Sequence, residues 1–123
     1  MKALIRTSGA LNLVFFAFHI VLGFWICRMP GIPVPVMAIM QMLNTALAGA
    51  FLYMGISMAF FAGEVAATRI GRLMLALGAI TYLVRAGEEL WLSPKPGPLV
   101  LGICIIAAVI NLAALAKACP CKR

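Results

Sequence analysis

The chain has 123 residues and a formal net charge of +7, from ten Lys and Arg against three Glu. Hydrophobic residues make up 65% of it and charged residues 11%, where soluble domains carry ~45–50% and ~25%. So few charges cannot cover a water-exposed surface, which excludes a soluble fold, and the same composition excludes intrinsic disorder. The basic residues fall in the gaps between apolar runs and form no patch for nucleic acid, so no nucleic-acid partner is expected.

The first apolar run, residues 7–27, holds 21 residues without a formal charge, counting His19 as neutral. It is long enough to cross a hydrocarbon core that needs ~20 residues. Lys2 and Arg6 precede it as they would in a secretory signal. The run is too long for that, however, and no small-x-small cleavage site follows. Phe24-Trp25-Ile26 before Cys27 also lacks the small residue that precedes a lipidated cysteine. The run is therefore expected to stay in the mature protein. Met29-Pro30-Gly31-Ile32-Pro33-Val34-Pro35 is a proline-spaced loop that cannot be helical. A second span is expected over 36–63. A third, over 70–92, contains Arg85, Glu88 and Glu89, but residues 73–84 are apolar throughout and Ser93-Pro94-Lys95-Pro96-Gly97-Pro98 ends it sharply. A fourth is expected over 98–117, followed by a short basic tail, 118–123.

No ten-residue alternation of the outer-membrane-barrel kind is present, and helices alone satisfy their own backbone within lipid. The expected fold is an all-α integral membrane protein, a single domain of four transmembrane helices in an antiparallel bundle. Orientation follows from the bases. Lys2, Arg6, Arg69, Arg72, Lys117, Lys122 and Arg123 fall on one side, against Arg28 and Lys95 on the other. That asymmetry predicts both termini in the cytoplasm of a multi-pass plasma (inner) membrane protein. Trp25 and Trp91 would then sit at the outer ends of their helices, where interfacial Trp is found.

Polar residues inside lipid are functional suspects. Counting from the flanking bases at ~1.5 Å per residue, His19 and Arg85 both lie roughly 20 Å from the inner boundary, and Asn44 matches His19 in depth. At 100° per residue, Gly78, Thr81, Tyr82, Arg85, Glu88 and Glu89 share about 120° of arc on the third span. Asn12, His19 and Gly23 share a side of the first span, and Met37, Met40, Gln41, Asn44, Ala48 and Gly55 a side of the second. Cys104, Ala107, Ala108 and Asn111 line up on the fourth. These patterns predict an outer-half ligand or proton site of His19, Asn44, Tyr82, Arg85, Glu88 and Glu89, and an inner polar layer of Asn12 and Asn111. Arg85 preceding Glu89 by four is the weaker order for local helix support, which points Arg85 toward partners on other helices or a ligand. Gly55, Ala59 and Gly63 form a small-xxx-small series that admits close helix packing.

Cys27 and Cys104 differ in depth, so no disulfide between them is expected. Met54 and Met58 are i, i+4 on the second span, and Cys119-Pro-Cys121 is a C-x-C within the basic tail. Thioether and thiolate ligands suit Cu(I). With the small-residue packing, these pieces resemble those of membrane copper transporters, and the resemblance implies Cu(I) handling by Met54, Met58, Cys119 and Cys121. The span number differs and a Met-rich outer tail is missing. Methionine is also an ordinary filler of apolar cores. In size and span number the chain is similar to the small multidrug resistance transporters. Their essential Glu in the first span has no counterpart here, so membership is not assigned.

Nucleotide loops, H-E-x-x-H and serine-nucleophile motifs are missing from the sequence, which gives no positive sign of an enzyme. One His cannot supply two axial ligands to a haem within one chain. The leading expectation is a small transport or ion/proton-coupling protein, with Glu89 or His19 carrying the proton, since burial and neighbouring groups bring such titrations into the working range. Its rivals are a non-catalytic subunit of a larger membrane complex, a membrane redox or lipid-modifying enzyme, and copper handling. The expected partners are the bilayer and either further copies of the chain or a larger complex; cofactors stay unassigned.

Overall fold

A computed structural model describes residues 1–93 and 95–118 of the chain. They form five helices: α1 (Lys2–Ile26), α2 (Val34–Phe60), α3 (Ala62–Ala67), α4 (Arg69–Leu92) and α5 (Pro98–Lys117). No strand occurs among the described residues. α1, α2, α4 and α5 are long and apolar enough to cross a membrane; at 20 to 27 residues they reach about 30 Å or more.

The boundaries correct the expected spans in three places. α2 begins at Val34, with Pro35 inside its first turn. A proline is harmless there, because the first-turn N–H it lacks has no intrahelical acceptor. The expected single span over 36–63 also divides. α2 stops at Phe60, Phe61 leaves the helical region at φ −107° and ψ 30°, and α3 follows as a separate six-residue helix. Gly63 therefore belongs to α3 and drops out of the small-residue series. α1 starts earlier than expected, at Lys2, so Lys2 and Arg6 ride on its first turns. Thr68 caps α4 by accepting a hydrogen bond from the Gly71 N–H at 3.0 Å. Gly31, in the α1–α2 connection, has φ +79° and is the only described residue with positive φ.

α1 packs most extensively on α2, and α4 on α5, with α1 against α5 joining the two pairs. α3 rests on α4 and touches α1 and α2. Ile5, Met58, Val65, Leu75 and Ala114 form an apolar core at the α3 end. Phe51, Tyr82, Ala86, Cys104, Ala107 and Ala108 form a second core further along the bundle. Many large apolar side chains of the four long helices point outward, among them Val14, Phe24, Leu43, Ile70 and Leu99. This is the surface a bilayer covers.

Small residues set the helix spacing. A Cβ at Gly9 of α1 would lie 2.5 Å from the backbone nitrogen of Ala59 on α2, so only glycine allows the two backbones to meet there. A Cβ at Gly71 would strike the Val65 backbone, which holds α3 against α4. Gly49 and Gly102 face open space. Gly9→Ala is therefore expected to lower the melting temperature in detergent, by the ~1–3 kcal/mol typical of overpacking. Gly49→Ala and Gly102→Ala should leave it unchanged or higher, because alanine favours the helix. Equal behaviour of the three variants would contradict the close α1–α2 approach.

Candidate functional site

Two polar centres stand within the span of the helices. The first is enclosed. Ser8 and Asn12 of α1 and Asn111 of α5 are essentially without exposure, and the Tyr82 side chain of α4 is buried beside them. The Ser8 hydroxyl donates to Asn111 Oδ1 at 2.9 Å and lies 3.4 Å from Met58 Sδ on α2. Tyr82 Oη donates to Asn12 Oδ1 at 3.1 Å. Each asparagine amide nitrogen turns back to its own helix, Asn12 Nδ2 to the Ser8 carbonyl and Asn111 Nδ2 to the Ala107 carbonyl, both at 2.8 Å. Gly78 provides the room for Asn111, since a Cβ there would meet its Oδ1 at 3.0 Å. Among the described residues no buried side-chain nitrogen or oxygen lacks a hydrogen-bond partner.

The second centre is open. On α1 and α2, His19 Nδ1 meets Asn44 Oδ1 at 2.8 Å, and Asn44 Nδ2 donates to the His19 carbonyl at 2.9 Å. One turn away, Gln41 Nε2 donates to the Gly23 carbonyl at 2.6 Å and lies 2.7 Å from Cys27 Sγ. These groups line a groove of about 290 Å³ on the outside of the α1–α2 pair. The His19 ring stacks on Phe51 at 5.3 Å, and Phe51 contacts Phe15 and Tyr82 in turn, so a run of rings links the open centre to the closed one.

The sequence-derived layer is thus divided. His19 and Asn44 do meet. Tyr82 joins the other centre, because its hydroxyl reaches Asn12. Arg85 corrects the expectation of partners on other helices: it stays on α4, with Nη2 2.8 Å from Glu89 Oε2 and Nη1 4.0 Å from Glu88 Oε2. The inward face of α4 runs through Leu75, Gly78, Ala79, Tyr82, Ala86 and Glu89, which leaves Arg85 and Glu88 outside it. The Arg85 and Glu88 side chains are 45% and 50% exposed. Glu89 is buried, and its other oxygen accepts the Gly97 N–H at 2.8 Å, tying α4 to the start of α5. Asn12 and Asn111, expected in one inner layer, are linked through Ser8, a residue that sequence reasoning passed over. The helix-face pattern of the sequence includes Gln41 but carries no sign of its bond to the Gly23 carbonyl.

Of the copper-directed residues, Met58 is fully buried with its sulfur against Ser8 and Asn12, and Met54 packs on the Phe51–Tyr82 core. Cys119 and Cys121 lie outside the described residues. Among the described residues, no three His, Cys, Asp or Glu side chains gather as a metal site. Cys27 and Cys104 are both free thiols, the first exposed and the second buried. No protein-family model, curated protein or solved structure matches the chain.

The closed centre makes a stability prediction. Asn12→Leu leaves the Tyr82 hydroxyl buried without its acceptor and should cost ~1–3 kcal/mol. Tyr82→Phe leaves Asn12 Oδ1 buried without its donor and should cost a similar amount. Thermal unfolding of both variants in detergent checks the two losses, and either variant as stable as the parent would contradict the network.

Proposed function

We propose that the chain is a small multi-pass membrane protein that couples transport to a proton carried on His19, at the α1–α2 groove. One observation carries this reading. Among the hydrogen-bonding side chains set deep within the spans, His19 has one ring nitrogen anchored and the other, Nε2, without a partner among the described residues and not enclosed. Imidazole is the side chain best suited to gain and lose a proton near neutral pH, and a ring held at Nδ1 can do so at Nε2 without moving. Glu89, the other candidate carrier, is engaged at both oxygens by Arg85 and Gly97, which suits a structural anchor better than an exchanging group. The proposed topology places the α3 end, with Arg6, Arg69, Arg72 and Lys117, in the cytoplasm with both termini, helices alternating in direction, and the groove in the outer half of the plasma membrane.

A second reading, a subunit of a larger or homo-oligomeric membrane assembly, draws on α4. Half-exposed Arg85 and Glu88 on a span favour a neighbouring chain or the headgroup layer over lipid tails.

Reporter fusions after Arg69 and Arg123 should read cytoplasmic, and fusions after Pro33 and Lys95 external; an external C-terminus would overturn the topology. For function, the purified chain in vesicles enclosing a pH-sensitive dye should dissipate an imposed pH gradient faster than protein-free vesicles. His19→Gln should lower that rate at least tenfold, while Arg85→Leu combined with Glu89→Leu should lower it far less. A wild-type rate equal to that of empty vesicles, together with co-purification of larger partners, would hand the lead to the subunit reading.

A further inference from the structure

We infer that the α1–α2 groove binds a neutral, lipid-soluble hydroxyl compound of the phenol class, whose O–H donates to His19 Nε2. The inference rests on the groove being the working site, as proposed above, and adds the chemistry of what enters it.

The argument starts from which atoms are already used. An amide's nitrogen and oxygen are told apart by their partners. Asn44 has one end on the His19 carbonyl, which can only accept, so that end is Nδ2 and the end facing the ring is Oδ1. An acceptor at that position requires a hydrogen on His19 Nδ1. A neutral ring with hydrogen on Nδ1 carries a lone pair on Nε2. Gln41 is fixed by the same logic. Its nitrogen faces the Gly23 carbonyl and the Cys27 sulfur, which leaves Oε1 as an acceptor. That oxygen lies above Gly23, 3.5 Å from where a Cβ would stand. The groove therefore presents two unfilled acceptors, His19 Nε2 and Gln41 Oε1.

The rest of the lining selects the body of the ligand. Ile20, Phe24 and Ala48 give apolar walls, and Gly23 leaves the floor bare. No Asp, Glu, Lys or Arg lines the groove, so a cation would find no counter-charge. An anion would find no cationic side chain and would face the two lone pairs with only the Thr45 hydroxyl and the Cys27 thiol as donors, too little to replace its hydration. A neutral donor remains. The open groove, about 290 Å³, has room for one substituted ring lying partly exposed, which Phe24 can pack against. The groove lies between α1 and α2, with His19 about two turns in from the end of α1, so in the proposed topology a ligand enters it from the outer half of the bilayer.

His19 is the only histidine in the chain, so labelling histidine with ¹⁵N yields one pair of ring signals. At a pH where the ring is neutral, full-length protein in detergent should show a protonated Nδ1 and an unprotonated Nε2. Added 4-butylphenol should move Nε2 upfield to saturation and leave Nδ1 in place, while butylbenzene should not move it. Gln41→Leu should leave the phenol response largely in place, because the single phenol O–H is spent on His19 Nε2, and Ile20→Trp, which fills the groove from an exposed position, should abolish it. A ring protonated at Nε2, equal responses to the two probes, or a phenol response unchanged in Ile20→Trp would each overturn the inference. These outcomes are separate from proton movement. A chain whose flux depends on His19 but which ignores butylphenol defeats the phenol site alone, and one that binds butylphenol but moves protons equally well as His19→Gln defeats the coupling reading alone.

Discussion

Every polar side chain that α1, α2, α4 and α5 bring to their common interior must be satisfied there, because neither lipid nor a dry interior offers hydrogen-bond partners. Ser8, Asn12, Tyr82 and Asn111 meet this constraint together with the sulfur of Met58. The chain of contacts takes one residue or more from each long helix. Sliding any helix by a turn, ~5.4 Å, would break it and strand a buried donor or acceptor. Hydrophobic burial does little to choose between helix registers in a bilayer, since lipid tails are as apolar as leucine. The closed polar centre supplies the register that apolar packing does not.

The centre can close because glycine stands beside it. Gly9 lets α1 lie against the Ala59 backbone, and Gly78 opens the space into which Asn111 turns. Its asparagines need little from the far side of the bundle, because each amide nitrogen returns to a carbonyl one turn back on its own helix. The interhelical bonds then use the amide oxygens, the two hydroxyls, one thioether and, at 3.8 Å from that thioether, the Asn12 amide nitrogen.

The helices were legible in the sequence because each long uncharged run stands between basic or proline-rich gaps, and the fourth, Pro98–Lys117, agrees in both bounds. The break after Phe60 was not legible: no proline marks it, and Gly63 fitted a small-residue spacing equally well. Tyr82 was placed in the wrong centre for a geometric reason. Depth was counted at the backbone, but side chains on a helix lean toward its N-terminus, and the long tyrosine carries its hydroxyl down α4 to Asn12. Ser8 went unnoticed because a serine near a helix end has many uses, and nothing local marks it as the link between Asn12 and Asn111. Arg85 found Glu89 on its own helix despite the weaker order, because the Gly97 N–H fixes the Glu89 carboxylate in place and a preset acceptor outweighs a few tenths of a kcal/mol of helix preference.

The two centres differ in how fully their groups are bound. Where each donor has its acceptor and water is excluded, the groups are committed, and exchange of a proton or ligand would first require breaking the interior. That describes Ser8, Asn12, Tyr82 and Asn111; Glu89 is likewise held at both oxygens, though beside a half-exposed Arg85. At His19 the commitment is partial. Asn44 holds one side of the ring while the other is left open beside a groove. An unfilled acceptor within the membrane span forgoes a hydrogen bond that a structural group would be expected to make. A serine or asparagine in that place could have been satisfied locally, as Ser8 and Asn12 are. The half-anchored imidazole is the arrangement to expect where a ring must keep its position while its free nitrogen changes partners.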